Sequence, residues 1–139
     1  MISIRKRSKE VISLIKGLDS VLVSSENTKA LADFYKDKVG IKFESEFEYG
    51  EEGASGYMFS LGSVGFTIMP SSEIKGKNTN PGRIMLNIEV DNCEAECKRL
   101  KDGGVNCTQE VYHIEGYGYV CTFEDPDGNY FQLVQVRAN

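Results

Sequence analysis

Few side chains in this sequence are equipped for covalent or metal chemistry, and those few do not fall into a recognisable spacing. His113 is the only histidine. It sits in Tyr112-His113-Ile114-Glu115-Gly116, a loop-rich segment where an imidazole more often meets solvent than a ligand. The cysteines Cys93, Cys97, Cys107 and Cys121 include one Cys-x-x-x-Cys pair, with no second pair to complete a tetrahedral zinc set. On a helix, Cys93, Cys97 and Leu100 fall at i, i+4 and i+7, so these thiols read as small hydrophobes on a buried stripe. No Gly-x-Ser-x-Gly elbow exists to activate a serine, and Ser20 has no sequence neighbour that would act as its base. The remaining candidate is Gln132, inside Glu124-Asp125-Pro126-Asp127-Gly128-Asn129-Tyr130-Phe131-Gln132-Leu133. Its carboxamide donates and accepts hydrogen bonds but offers neither charge nor a basic lone pair.

Turn chemistry positions Gln132. Pro126 presets φ, Asp127 caps its own backbone and Gly128 takes a positive φ, which closes a hairpin between a strand ending at Phe123 and one from Tyr130 to Val136. Upstream, Leu18 to Ser24 reads as a strand. Asn27 caps a helix with Leu31, Phe34 and Tyr35 on its apolar face, and Gly40 stops it. Ile41 to Glu48 alternates, Tyr57 to Leu61 is a short strand, and Gly62-Ser63 turns into Val64 to Met69. The second half repeats this order. Arg83 to Val90 is a strand, Asn92 caps a helix through Lys101, Gly103-Gly104 ends it, and three strands run to Val136. The two caps lie 92 − 27 = 65 positions apart and the two stops 104 − 40 = 64. Pro70 to Gly82, rich in Ser, Lys, Asn and Gly, reads as a linker. The prediction is an α+β domain over residues 17–136, built of βαβββ modules 17–69 and 83–136. It follows an N-terminal extension, residues 1–16, in which Ile4, Val11, Leu14 and Ile15 would give an amphipathic helix with Arg5, Lys6, Arg7 and Lys9 on its polar side.

A chain of 139 residues can bury a real core. Its formal charge of −5 argues against nucleic acid as the main partner. No apolar run approaches the ~18 residues of a membrane span, and Met1 to Ser8 lacks the pattern of a secretory signal. The expectation is a cytoplasmic protein with neither a nucleic-acid nor a membrane partner.

The terminal hairpin, the motif Phe34-Tyr35 with Val39-Gly40-Ile41, and the βαβββ repeat together resemble the vicinal oxygen chelate family. That family includes glyoxalase I, bleomycin-resistance proteins, fosfomycin-resistance enzymes and extradiol dioxygenases. The resemblance implies two modules cupping a cleft between curved mixed sheets, commonly with modules paired between the chains of a homodimer. It also implies metal ligands on the first and last strands of each module, the last being a glutamate where Gln132 stands. Carried over by register, the four positions are Ser20, Thr67, Met85 and Gln132, and 85 − 20 = 132 − 67 = 65. Two hydroxyls, a thioether and an amide supply neither imidazole nitrogen nor carboxylate oxygen, so no metal and no other cofactor is expected there. Glu89 shares a face with Met85 but lies more than ~10 Å along the strand.

The cleft would outlast its metal. With those four positions inward, alternation adds Leu22, Gly65, Met69, Asn87, Tyr130 and Val134. That wall is mostly apolar with a few neutral polar groups, as a small-molecule pocket requires; the same residues would also fill a closed core. Tyr117, Tyr119 and Tyr130 add aromatic surface. The expected ligand-binding set is Ser20, Leu22, Thr67, Met85, Asn87, Tyr119, Tyr130 and Gln132, with no catalytic residue. Glu44, Glu46, Glu48, Glu51 and Glu52 form an acidic hairpin that reads either as a solvated face or as an attractor of cationic ligands. The functional expectation is a metal-free binder of an unidentified small molecule, of the bleomycin-resistance kind. The alternatives are a lyase, isomerase or dioxygenase with a displaced site, and a structural partner with no ligand.

Overall fold

In each half of the chain the first strand pairs in parallel with the last, and two antiparallel strands complete the sheet. The computed structural model describes residues 14–50 and 53–137. Strands β1 (Ser20–Ser25), β2 (Lys42–Tyr49), β3 (Ala54–Leu61) and β4 (Val64–Pro70) form one four-stranded sheet in the order β1-β4-β3-β2. Strands β5 (Leu86–Glu89), β6 (Asn106–Ile114), β7 (Gly118–Glu124) and β8 (Tyr130–Val136) form the second, in the order β5-β8-β7-β6. Helix α1 (Thr28–Asp33) and helix α2 (Cys93–Asp102) follow the first strand of each sheet. The fold is α+β, as the sequence pattern implied. Of the N-terminal extension, Ile4, Val11 and the basic residues lie outside the described residues, as do Glu51 and Glu52; Leu14 and Ile15 are exposed.

The repeat is written into the backbone pairing. Leu22 lies opposite Thr67 between β1 and β4, and Asn87 lies opposite Gln132 between β5 and β8. Both members of the second pair stand 65 positions after those of the first (87 − 22 and 132 − 67). Even the irregularities recur. The register shifts between Phe43 and Ser45 in β2 and between Cys107 and Gln109 in β6, 64 positions later.

Local chemistry sets the element ends. The Asn27 side-chain oxygen accepts from the Ala30 N–H at 3.1 Å, and that of Asn92 from the Ala95 N–H at 3.0 Å. Each satisfies one of the donors that a helix start leaves unpaired. Gly40 takes φ +89°, a left-handed value that a Cβ would resist. Several bounds depart from the sequence pattern: β1 begins at Ser20 rather than Leu18 and β3 at Ala54 rather than Tyr57. Strand β5 begins at Leu86 rather than Arg83, because its ladder to β8 starts with the Leu86–Phe131 pair. The second half of the first helix, Phe34–Val39, is a π-helical stretch, with the Gly40 N–H donating to the Tyr35 carbonyl at 3.0 Å. Both Phe34 and Tyr35 meet Phe131 edge to face there, at centroid distances of 6.0 and 5.6 Å.

One core serves both sheets. Leu31, Tyr35, Phe59, Phe66 and Ile68 from the first half join Cys93, Cys97, Leu100, Phe123 and Phe131 from the second. The predicted stripe of Cys93, Cys97 and Leu100 is buried. At the seam the Tyr35 hydroxyl donates to Asp125 Oδ2 at 2.6 Å. The same carboxylate accepts from the Asp127 N–H, the Asn129 N–H and Asn129 Nδ2, at 2.9, 3.0 and 3.0 Å. The two halves also cap each other. Arg99 on α2 donates to the Lys38 and Val39 carbonyls at 2.9 and 2.8 Å, and Lys38 Nζ reaches the Gly103 carbonyl at 3.0 Å. Each helical segment thus receives a cation at its negative end.

Burial, followed by the neighbouring Asp125 charge, holds the Tyr35 phenol well above its ordinary value. A group whose pKa is raised by folding stabilises the native state below the unfolded pKa, and that contribution is lost as pH rises through the folded pKa. Denaturant melts should therefore show stability falling above pH ~10, the unfolded tyrosine value. Tyr35→Phe should lack this alkaline component and lose ~1–3 kcal/mol at neutral pH, the worth of a buried hydrogen bond to a carboxylate. An unchanged midpoint in Tyr35→Phe would show that the seam does not rest on this bond.

Candidate functional site

Each sheet spends one face on the shared core and leaves the other free. On the first sheet the register puts Leu22, Thr67 and Met58 side by side on the free face. Phe47 adds its ring over Gly56, where a Cβ would fall 2.3 Å from the ring. Leu22 is 63% exposed and Met58 44%. Thr67, between them, is buried. Ser20 opens the same strand opposite Gly65 and is half-buried.

On the second sheet Asn87, Gln132 and Thr122 are neighbours across β5, β8 and β7. Gln132 Nε2 donates to Thr122 Oγ1 at 2.8 Å, which fixes the amide and turns its carbonyl oxygen to the remaining space. Asn87 Nδ2 lies 3.5 Å from the Tyr117 hydroxyl. Val120 and Val134 face each other one pair further along, both buried but outside the shared core. Tyr112 and Ile114, on β6, are exposed. The free face of this sheet is therefore apolar with a neutral polar row: Asn87, Gln132, Thr122.

Two grooves run along the line between β1 and β5. One, of about 650 Å³, is lined by residues of both halves, Leu22 and Ser24 with Ile84 and Tyr130, and by linker residues including Ile74 and Lys77. The other, of about 470 Å³, brings Met85 and Asn87 against Leu18 and Val64. Leu22 thus meets Tyr130 in one groove and Met85 meets Asn87 in the other, while Ser20, Thr67 and Gln132 line neither.

Tyr119 does not join them. It pairs with Gln135, one residue out of phase with the Thr122–Gln132 row, and packs against the core with its ring 4.9 Å from that of His113. His113 belongs to β6 rather than to a loop. Residues that sequence reasoning missed are Thr122, Met58 and Tyr112. The signal for Thr122 was present: a hairpin closing on Glu124 and Tyr130 makes Thr122 the partner of Gln132. Of the acidic hairpin, Glu44, Glu46 and Glu48 are exposed. Glu46 pairs with Tyr57 and Glu48 with Ser55, out of phase with Phe47 and Gly56, so both turn away from the free face.

The four positions to which the resemblance assigns metal ligands hold Ser20, Thr67, Met85 and Gln132, with Glu89 further along β5. This donor set does not fit a divalent ion, which needs imidazole, thiolate or carboxylate ligands to displace its water. Among the described residues, the one grouping of three ligand-capable His, Cys, Asp or Glu side chains lies elsewhere, between α2 and β6.

A family model described as Glyoxalase/Bleomycin resistance protein/Dioxygenase superfamily matches residues 17–133. A lactoylglutathione lyase of Salmonella typhimurium is 26% identical over 116 residues, covering 75% of this chain and 81% of the relative. Among solved structures, TnmS3, an antibiotic binding protein from Streptomyces sp. CB03234, superposes with a TM-score of 0.72 at 22% identity, over 90% of this chain and 99% of its own. A glyoxalase family protein from Enterococcus faecalis gives a TM-score of 0.71 at 23% identity, over 88% and 100%. These structural likenesses establish the fold. Among the described residues no helix is long and apolar enough to cross a membrane.

Restoring the missing donors tests the assignment of the four positions. Ser20→His, Thr67→Glu, Met85→His and Gln132→Glu together should create affinity for Ni²⁺, measured by isothermal titration. Gln132→Glu alone should bind no ion and carry a carboxyl whose pKa is raised by desolvation beside Thr122. A quadruple variant that folds yet gains no affinity would show that the positions do not converge.

Proposed function

The chain belongs to the Glyoxalase/Bleomycin resistance protein/Dioxygenase superfamily, and from that premise we propose that it binds a small molecule in the inter-module cleft without a metal. The observation that carries this reading is the neutral pair at the family's glutamate position, Gln132 hydrogen-bonded to Thr122. An amide held in this way presents an oxygen acceptor to a ligand and provides no charge for a metal. Around it, Val120 and Val134 are apolar, and Asn87 and Tyr117 are neutral polar groups. Such a wall suits a molecule with a planar or hydrophobic body and one or two neutral hydrogen-bonding groups. Met85 and Met58 supply contact area that adapts to shape.

The cleft as proposed is shared between two copies of the chain. The free face of the first sheet exposes Leu22 and Met58, and that of the second exposes Tyr112 and Ile114. Setting one against the other removes apolar surface from water on both sides and encloses the polar row of Asn87, Gln132 and Thr122. Ser20, Leu22 and Thr67 of one protomer would then line the same cavity as Met85, Asn87, Tyr130 and Gln132 of its partner. A second reading, an enzyme of the lyase, isomerase or dioxygenase kind with a displaced site, draws support from the 26% identity to a lactoylglutathione lyase. It requires a metal or base from outside the four mapped positions.

Two measurements separate the readings. A thermal-shift panel of planar aromatic antibiotics should raise the melting midpoint, by the equivalent of about 2.7 kcal/mol at a hundredfold excess over Kd. Ni²⁺ and Mn²⁺ should leave it unchanged. Met85 is 38% exposed, so Met85→Trp is tolerated by the fold and should abolish the antibiotic shift by filling the groove. Ni²⁺-dependent turnover of lactoylglutathione would instead establish the enzyme reading. For the assembly, light scattering should give a dimer that Leu22→Arg converts to monomer; a monomeric parent chain would rule out the shared cleft.

A further inference from the structure

Away from the cleft, the thiols that the sequence assigned to the core are arranged more specifically than packing requires. Cys97 on α2 is buried, Cys107 on β6 is half-buried and Glu110 on β6 is exposed. Their ligand atoms, two sulfurs and a carboxylate oxygen, all lie within 4.8 Å of one another. We propose that Cys97, Cys107 and Glu110 form a binding site for a thiophilic divalent cation of the Zn²⁺ or Cd²⁺ class, tying helix α2 to strand β6.

The backbone makes this grouping. In a regular strand, residues three apart point to opposite faces. Strand β6 carries two register shifts, between Cys107 and Gln109 and between Gln109 and Tyr112, with Glu110 inside the second. The ion pair with Lys101 shows that Glu110 turns toward α2, on the side of Cys107. The equivalent irregularity in β2 follows Phe43, which packs on Phe59 with centroids 5.5 Å apart. The duplicated bulge thus carries a hydrophobic residue in one half and a thiol in the other.

The donors suit a borderline-soft ion. With metal–sulfur bonds of about 2.3 Å and metal–oxygen bonds of about 2.0–2.2 Å, ligands on one tetrahedral centre sit roughly 3.5–3.8 Å apart. The grouping therefore has to contract by at most about 1 Å, which side-chain torsions supply. A groove of about 480 Å³ lined by Cys97, Lys101, Glu110 and Val111 gives access from solvent and room for a water as fourth ligand. Desolvation first, then the adjacent Cys97, pushes the Cys107 thiol up to about 11, so that sulfur keeps its proton until an ion arrives. Binding one M²⁺ then forms two metal–sulfur bonds and releases two protons to solvent, with no redox change. Lys101 Nζ, 2.5 Å from Glu110 Oε1, occupies the carboxylate meanwhile. That ion pair is exposed, weakly held in water, and yields to a dication. Cys93 and Cys121, with sulfurs 3.6 Å apart, have no carboxylate beside them in this grouping and serve as the internal control.

The test is a titration of the full chain, reduced and freed of metal by chelator, with Cd²⁺ alone, reading thiolate-to-cadmium charge-transfer absorption in the ultraviolet. The cleft positions contain no thiol, so this signal is blind to the site proposed above. The expected result is one ion per chain with the absorption of two thiolates. Cys107→Ser should lose half of that absorption and most of the affinity. Glu110→Gln should keep the absorption and weaken binding, and Lys101→Ala should tighten it by releasing the carboxylate. Absence of charge transfer in the parent chain overturns the proposal. So does full absorption in Cys107→Ser, which would place the thiolates among Cys93, Cys97 and Cys121.

Discussion

A single buried hydrogen bond, from Tyr35 to Asp125, joins parts of the chain that are 90 positions apart, and the geometry of the candidate site hangs from it. Asp125 is the organiser of the turn between β7 and β8, since its two oxygens collect the donors of Asp127 and Asn129. That turn sets the pairing of Thr122 with Gln132. The phenol therefore anchors, at one remove, the amide at the centre of the second free face. Asp125 accepts enough donors to offset part of its burial, yet desolvation still raises its carboxyl above the ordinary range. Removing any one donor would leave that burial less compensated.

With the seam fixed, the chemistry follows from which face each residue occupies. The core-facing side of both sheets is apolar at its centre, so the sheets cannot slip by one residue without driving Phe66, Ile68, Phe123 or Phe131 into water. The same constraint holds the free-face residues in place whatever their identity. Function is thereby decoupled from folding: the face that carries Ser20, Thr67, Met85 and Gln132 accepts neutral residues without cost to the core. This accounts for a chain that keeps the fold of a superfamily rich in metalloenzymes while carrying no imidazole or carboxylate at the four mapped positions.

Much of the scaffold was legible because it is written in local chemistry. Asn27, Asn92, Gly40 and the Pro-Asp-Gly turn each act within a few residues, and the 65-residue offset between halves needs only counting. The π-helical stretch at Phe34–Val39 was not legible, since nothing in its composition distinguishes it from α-helix; packing of Phe34 and Tyr35 on Phe131 selects it. Tyr119 was expected in the pocket as aromatic surface with no strand phase assigned to it, and β-strand phase, which inverts at every residue, turns it to the core. The bulge in β6 hid the approach of Cys107 and Glu110 to Cys97 for the same reason. Spacing rules for metal sites assume donors on one element or paired loops, and this grouping draws on a helix and an irregular strand.

The parallel closure of each sheet has a consequence for synthesis on the ribosome. Leu22 pairs with Thr67 and Asn87 with Gln132, each across 45 positions, so neither sheet forms from neighbouring residues alone. The first sheet can close once β4 has emerged. Tyr35 of the same half covers Phe66, with ring centroids 5.0 Å apart, but the other side of Phe34 and Tyr35 meets Phe131 only 131 − 66 = 65 residues after Phe66. At translation speeds of about 5–20 residues per second that is an interval of roughly 3–13 s. For that time the nascent chain holds a finished sheet whose helical cover leaves Phe34 and Tyr35 without their Phe131 contact, the kind of apolar edge that chaperones bind. The same Tyr35 that later meets Asp125 spends the interval waiting for a partner not yet made.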